Sequence, residues 1–129
     1  MAVMDLNTIL DTATTIARDA GAMLLDGFGR EKQIETKSSA VDFVTQFDRA
    51  AETLITDRLR AAFPGHGLLG EEGTDETGAQ PYTWIIDPLD GTSNYAHGFP
   101  VFCVSLALYD GPRPLVGVIY DPTRDECFS

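Results

Sequence analysis

The sequence predicts an α+β fold in which two long helices pack on a mostly antiparallel sheet. Two stretches, residues 6–25 and about 44–63, carry apolar residues at three- and four-residue spacing, which is the pattern of a helix with one buried face. After residue 65 the apolar residues fall instead in short runs separated by Gly, Pro and Asp, which is typical of strands. Helices followed by a run of strands indicate an α+β layout. With 129 residues, 43% of them hydrophobic, one domain over residues 1–129 is expected.

The first helix is predicted over residues 6–25. Gly27 and Gly29 follow it, and because glycine is common just past the end of a helix, they are expected to end it. Residues 32–37, KQIETK, are predicted as a short, polar, exposed strand, and Ser38-Ser39 as the turn after it.

The second helix is predicted from about Val44 to Phe63, where Pro64-Gly65 cannot continue it. Asp75-Glu76 lies in a Gly/Thr-rich stretch and is expected to be a solvated, mobile loop tip. Asp110-Gly111-Pro112 indicates a turn between two antiparallel strands. The predicted strands are Gly67–Leu69, Tyr82–Ile86, Phe102–Tyr109, Leu115–Tyr120 and Glu126–Phe128.

The composition argues against several function classes. Twenty acidic and nine basic residues give a formal charge of −11, which would repel the phosphate backbone of a nucleic acid, so a nucleic-acid partner is not expected. No apolar stretch approaches the roughly 20 residues that cross a bilayer, and the N-terminus has no basic region of the kind that opens a secretory signal. A cytoplasmic location without membrane association is therefore expected.

Two carboxylate-bearing motifs, residues 70–73 (GEEG) and 84–92 (WIIDPLDGT), each follow an apolar strand. In the second motif the strand is expected to deliver Asp87 at its end, Pro88 to stop the ladder, and Asp90 to reach back from the turn. Converging carboxylates need a cation or a shared proton, and Mg²⁺ prefers such hard oxygen ligands. Each motif taken alone is equally typical of surface turns, where Asp, Gly and Pro are common.

The residues that follow add an anion-binding feature. Gly91 and Thr92 open a stretch, residues 92–97, that is predicted to form a short helix, and free N–H groups at a helix start attract phosphate. Carboxylates for a cation beside such a helix start indicate phosphoryl chemistry, in which catalysis is largely positioning and charge neutralisation.

The segment WIIDPLDGTSNYAHGFPVFCVSLAL resembles the signature of the inositol monophosphatase family, and GEEG resembles that family's upstream metal motif. LNTILDTATTIARDAGAMLLDGF, KSSAVDFVTQFD and VGVIYDPTRDECF are also similar to the first half of the family. The resemblance implies that the chain is the N-terminal half of a layered α/β/α sugar-phosphatase fold. It also implies a Mg²⁺-dependent phosphomonoesterase acting on inositol monophosphate or a related sugar or polyol phosphate, and a homodimer.

The resemblance implies a metal site with two or three Mg²⁺ ions. Glu71, Asp87 and the backbone carbonyl of Leu89 would hold one ion, and Asp87 and Asp90 would share a second. Two such ions activate water and stabilise the leaving oxygen in an in-line displacement.

The resemblance also implies the remaining roles. Thr92 paired with Asp48 would orient or deprotonate the attacking water, and the amides of Gly91 and Thr92 would hold phosphate oxygens. Glu72 would be a supporting carboxylate. Lys37 would be a basic residue near the site, although a solvated strand charge accounts for it equally well.

The family's second half normally contributes a Trp-Asp-x-x-Ala type motif and the groups that contact the sugar, and nothing in this sequence corresponds to them. The usual C-terminal substrate domain is therefore expected to be absent. Three hypotheses stay open: a phosphatase, a non-catalytic divalent-cation-binding module of the same fold, and an acidic protein-interaction domain without metal. Within the enzyme class, fructose 1,6-bisphosphate and nucleotide 3'-phosphate are the alternative substrates.

Overall fold

The computed structural model describes residues 5–30 and 37–129 and confirms the predicted mixture of long helices and a mostly antiparallel sheet. Helices and strands follow one another along the chain in the order α1, α2, β1, β2, β3, α3, β4, β5, β6. The helices are α1 Leu6–Arg30, α2 Lys37–Ala62 and α3 Thr92–Ala96. The strands are β1 Gly67–Gly70, β2 Asp75–Glu76, β3 Tyr82–Asp90, β4 Cys103–Asp110, β5 Arg113–Asp121 and β6 Glu126–Phe128.

The six strands form one sheet in the order β2-β1-β3-β4-β5-β6. Every neighbouring pair is antiparallel except β1 and β3, which run parallel. The predicted turn between β4 and β5 is confirmed, with Asp110 paired to Arg113 across it and Gly111 at a φ of 58°. The sheet therefore combines a meander, β3 to β6, with one parallel pair that sets the position of β1.

Helix α1 begins after Asp5, whose side chain accepts hydrogen bonds from the Asn7 amide (3.0 Å) and the Thr8 hydroxyl (2.8 Å) and so caps the helix. The prediction that Gly27 and Gly29 end the helix is wrong, because the helix continues to Arg30. A Cβ at Gly27 would lie 2.4 Å from the Phe47 ring, so this glycine allows close packing between helices. Helix termination is not its role.

Helix α2 begins at Lys37, and the predictions of a turn at Ser38-Ser39 and a helix start near Val44 are wrong. No Gly or Pro interrupts residues 37–62, so nothing in the backbone prevents the helix from extending over the two serines. Residues 32–36 of the predicted strand lie outside the described residues, and Lys37 is helical. The helix ends at Ala62, before Pro64-Gly65 as predicted.

Asp75-Glu76 forms the short edge strand β2, not a loop tip, because it pairs with β1 through Leu68↔Glu76 and Leu69↔Asp75. The Nε of Arg60 on α2 also donates to the Glu76 carboxylate at 2.9 Å. This exposed ion pair adds a contact between the end of α2 and the edge of the sheet.

The core lies between the two long helices and one face of the sheet. Alternate residues of the central strands are buried against α1 and α2, whereas Leu69, Ile85 and Ile119 on the opposite face are 44–46% exposed. Trp84, predicted as a core residue, is fully buried, and its Nε1 donates to Nδ1 of His66 at 3.1 Å. Among the described residues, no helix is both long and apolar enough to cross a bilayer.

Candidate metal and phosphate site

The parallel pairing of β1 and β3 brings the two carboxylate motifs together. Gly70 at the end of β1 lies opposite Ile86 of β3. The next residues, Glu71 and Asp87, therefore lie side by side where the two parallel strands end, at the edge of the sheet formed by their carboxyl ends. The pKa of Asp87 is raised first by burial and next by the nearby charge of Glu71. Glu71 and Asp87, which the family resemblance assigns to the same ion, therefore lie close together.

A bulge in β3 sets the position of Asp90. Asp87 pairs with Ser105 and Asp90 with Cys103, so three steps along β3 match two along β4. The expectation that Pro88 ends the strand, leaving Asp90 on a turn, is wrong because β3 extends to Asp90. Pro88 cannot donate a ladder hydrogen bond, and the bulge accommodates it without ending the strand.

Helix α2 places two buried carboxylates, Asp48 and Glu52, beside this edge of the sheet; they are 8% and 4% exposed. Burial raises the pKa of Asp48 to about 8, and a hydrogen bond with Glu72 and repulsion from Glu72, Asp87 and Glu52 add to the rise. Glu72, predicted as a supporting carboxylate, is thus a direct neighbour of Asp48. The site is a set of interacting acids that share a strongly negative environment.

Asp87 lies at the centre of this set. Its pKa is raised to about 6, first by burial and then by the charges of Glu71 and Asp90, and its Oδ1 is buried without a hydrogen-bond partner. A buried carboxylate oxygen without a partner is costly unless a proton or a cation satisfies it. The donor set is therefore chemically suited to a hard divalent cation.

The side chains are not arranged around a single point. Within residues 5–30 and 37–129, no group of three or more His, Cys, Asp or Glu side chains is placed to hold a metal ion. Glu71 and Asp90 are exposed, and exposed side chains change rotamer readily, so moving them toward Asp87 requires no change of the fold. The metal assignments of Glu71, Asp87, Leu89 and Asp90 remain predictions.

Gly91 and Thr92 lie where the predicted short helix begins. Gly91 precedes α3 with a φ of 94°, and the Thr92 hydroxyl donates to the Leu89 carbonyl at 3.2 Å. Asp48 interacts instead with Glu72, so the described hydrogen bonds do not include the expected pair of Thr92 and Asp48. The roles of Thr92, Asp48 and Gly91 remain predictions, and the Lys37 side chain lies outside the described residues.

Sequence reasoning missed two residues that shape the site. Glu52 holds the loop after β1, and the spacing of Asp48, Glu52 and Thr56 along one buried side of α2 was the signal that could have identified it. Tyr95 of α3 is fully buried, and its hydroxyl donates to the Leu24 carbonyl of α1 at 2.8 Å, which fastens α3 to the long helix. The aromatic character of Tyr95 alone could not predict this hydrogen bond.

The raised pKa of Asp48 predicts how the stability of the metal-free protein depends on pH. Asp48 binds its proton more tightly when folded (about 8) than in an unfolded chain (3.8), so stability should fall as pH rises through that interval. Asp48→Asn cannot ionise and is expected to weaken this fall, as measured by urea unfolding in EDTA at pH 5, 7 and 9. Asp57→Asn removes an exposed charge on the same helix and serves as the control. Parallel pH profiles for the unsubstituted and Asp48→Asn proteins would contradict the prediction.

The architecture, a six-stranded mixed sheet with long helices on one face and acidic groups at one edge, is that of a layered α/β fold with a candidate cation site. The model of the inositol monophosphatase family matches residues 5–129, and the chain belongs to this family. Inositol monophosphatase 2 of Solanum lycopersicum is 45% identical over 126 residues, and Inositol-1-monophosphatase of Synechocystis is 44% identical over 126 residues. The chain is also 43% identical over 114 residues to the Nus factor SuhB of Xylella fastidiosa.

Solved structures agree with this assignment. The structure of an inositol monophosphatase from Anabaena matches with a TM-score of 0.79 and 42% identity, covering 97% of this chain and 44% of that one. The extragenic suppressor protein suhB from Bartonella henselae matches with a TM-score of 0.83 and 37% identity, covering 94% of this chain and 47% of that one. Among the curated relatives, the match covers 93% of this chain and 47% of the tomato protein, 96% and 44% for Synechocystis, and 88% and 41% for Xylella. The chain thus spans somewhat less than half the length of these relatives.

Proposed function

We propose that this chain carries the cation site of a Mg²⁺-dependent phosphomonoesterase that hydrolyses inositol monophosphate or a related sugar or polyol phosphate. The observation that carries the proposal is the convergence of Glu71 and Asp87 at one edge of the sheet, with a buried Asp87 oxygen that has no hydrogen-bond partner. These carboxylates suit a divalent cation once the exposed Glu71 and Asp90 side chains turn toward Asp87, and a cation converts a negatively charged site into one that accepts phosphate. Relatives named inositol monophosphatases support the choice of substrate class.

Bound cations would neutralise phosphate charge and lower the pKa of the attacking water. In this proposal Glu71, Asp87, Asp90 and the Leu89 carbonyl hold two or three ions. The carbonyl oxygen of Leu89 already accepts a hydrogen bond from the Thr92 hydroxyl. A carbonyl oxygen has a second lone pair, which can bind a cation.

The protein groups around the ions would position the reactants. Asp48, whose pKa is raised to about 8, is suited to holding or accepting a proton near neutral pH. Thr92 would orient the attacking water, and the amides of Gly91 and Thr92 would face phosphate oxygens at the start of α3. Glu72 would support Asp48, with which it hydrogen-bonds.

The proposal extends to the setting of the site. Residues 1–129 would form the N-terminal metal-binding domain, and the part of the longer relatives that this chain does not match would correspond to their substrate domain. Cytoplasmic location, a homodimer and the absence of a nucleic-acid partner are proposed with it, the last on the formal charge of −11.

A second candidate function is a divalent-cation-binding module without turnover. The chain covers 47% of the tomato relative, so any catalytic or sugar-binding group in the remainder of that relative has no counterpart among residues 1–129. Cation binding without phosphate release would favour this candidate.

The test is release of inorganic phosphate from inositol 1-phosphate with and without Mg²⁺. Asp90→Asn is expected to lower Mg²⁺-dependent release at least tenfold, because the exposed Asp90 carboxylate is a proposed ligand. Glu126→Asn, which removes an exposed charge on β6, is the matched control and should leave release unchanged. Release that does not depend on Mg²⁺, or that survives intact in Asp90→Asn, would contradict the proposed site. Mg²⁺ binding without any release would select the second candidate.

A further inference from the structure

Glu52 is a buried carboxylate that contacts the loop carrying Glu71. It lies on α2, is 4% exposed, and uses both of its oxygens as acceptors. Oε1 accepts from the backbone N–H of Glu72 at 2.9 Å, and Oε2 accepts from the backbone N–H of Thr74 at 3.2 Å and its hydroxyl at 2.7 Å. Hydrogen bonds to an ionised acceptor are among the stronger ones in proteins, so three of them fasten this loop to the helix.

The loop itself is built to receive this carboxylate. It turns tightly, with the Gly70 amide donating to the Thr74 carbonyl at 2.8 Å and with Gly73 at a φ of 111°. A Cβ at Gly70 would lie 2.5 Å from Oε1 of Glu52, so the carboxylate reaches the loop only because residue 70 has no side chain. Helix α2, Gly70 and the turn of residues 70–74 therefore form one structural unit. Within this unit, Glu71 is the exposed carboxylate that lies beside Asp87.

We infer that Glu52 is a positioning residue for Glu71, holding the turn of residues 70–74 in the orientation that presents the Glu71 carboxylate beside Asp87. The inference rests on the proposed function, because it assigns Glu71 to the cation site. Glu52 acts on the cation through the backbone of residues 72 and 74 and contacts neither cation nor substrate. Its loss should let the turn rotate away from Asp87 and weaken the cation site without removing a ligand.

Amide hydrogen exchange and Mg²⁺ titration calorimetry on the intact protein test this role. In Glu52→Ala the amides of Glu72 and Thr74 are expected to exchange at least tenfold faster, and Mg²⁺ affinity to fall about tenfold, the lower end of what losing a group that orients a ligand costs. Glu52→Gln keeps one acceptor oxygen, which can accept hydrogen bonds from only one side of the turn. We therefore expect smaller changes than in Glu52→Ala. Thr74→Val removes a single donor, which keeps the inference testable if Glu52→Ala fails to fold.

Asp57→Asn is the matched control, since it removes a negative charge from an exposed position on the same helix. It should change neither the two amides nor Mg²⁺ affinity. Unchanged exchange at Glu72 and Thr74 in the Glu52 variants overturns the inference. Faster exchange with unchanged Mg²⁺ affinity also overturns it, because Glu52 would then support the turn alone. If the unsubstituted protein binds no Mg²⁺, the proposed function fails first and the role toward Glu71 fails with it.

Discussion

Replacing Asp87 by asparagine should lower Mg²⁺ affinity at least about 100-fold, more than the loss of a residue that only orients a ligand. The reason is that Asp87 lies near both Glu71 and Asp90, and its pKa is raised first by burial and then by the charges of these two residues. An asparagine keeps the shape of the side chain and one neutral oxygen but supplies no charge to a cation. Titration calorimetry at pH 7.5 measures the change.

The same substitution should not destabilise the metal-free protein. At pH 8 the Asp87 carboxylate is ionised above its raised pKa of about 6, and burial and repulsion oppose that charge. Asp87→Asn removes the charge, so in EDTA at pH 8 its unfolding midpoint should be no lower than that of the unsubstituted protein. Asp57→Asn is again the control. A variant that loses stability in EDTA and retains Mg²⁺ affinity would show that Asp87 has a packing role and not a ligand role.

Gly91→Ala should lower both the stability of the protein and its phosphate release, although it adds only a single methyl group. Gly91 has a φ of 94°, and an added Cβ would lie 2.8 Å from the Val101 carbonyl oxygen and 3.2 Å from the Phe102 Cα. Both neighbours are backbone atoms, so a side chain at Gly91, which directly precedes α3, would push the backbone of this residue and that of residues 101–102 apart. That movement would displace the start of α3, where the proposed phosphate-binding amides lie, so phosphate release should fall at least tenfold.

Gly111→Ala is a matched control for the backbone strain. Gly111 has a φ of 58° in the β4–β5 turn, and a Cβ there would meet no atom within 4 Å. It should cost only the roughly 1–2 kcal/mol of a left-handed alanine, whereas Gly91→Ala should cost more. Urea unfolding compares the two. Equal losses of unfolding free energy would mean that the contact with Val101 is not a constraint.

The sequence was sufficient for those parts of the fold where the apolar spacing is regular. The regularly spaced apolar residues of α1 and the short apolar runs of β3, β4 and β5 include residues that the structure buries, among them Ile16, Trp84 and Val118. The errors occurred where glycine, serine or proline was interpreted from local preference alone. Gly27 lies within a helix because Phe47 needs its space, which is a tertiary contact that no local pattern contains.

The candidate site was predictable in part for a similar reason. The proximity of Glu71 and Asp87 was anticipated through the family resemblance, which assigns both residues to one ion, whereas the sequence pattern itself predicted only the convergence of Asp87 and Asp90. Glu52 was not anticipated, because its role depends on the turn of residues 70–74 and on the absence of a side chain at Gly70. Short edge strands such as β2 escape prediction because two exposed acidic residues carry no apolar signal.

The distribution of the acidic groups between α2 and the sheet also bears on the order in which the protein assembles. The paired residues of β1 and β3 are no farther apart in the chain than most of those of β3 and β4, and contacts local in sequence form at the lowest entropic cost. Glu71, Asp87 and Asp90 belong to the sheet strands and the residues directly after them, while Asp48 arrives with α2. We therefore expect the repulsion of Asp48 by Glu72 and Asp87 to oppose the docking of α2 on the sheet.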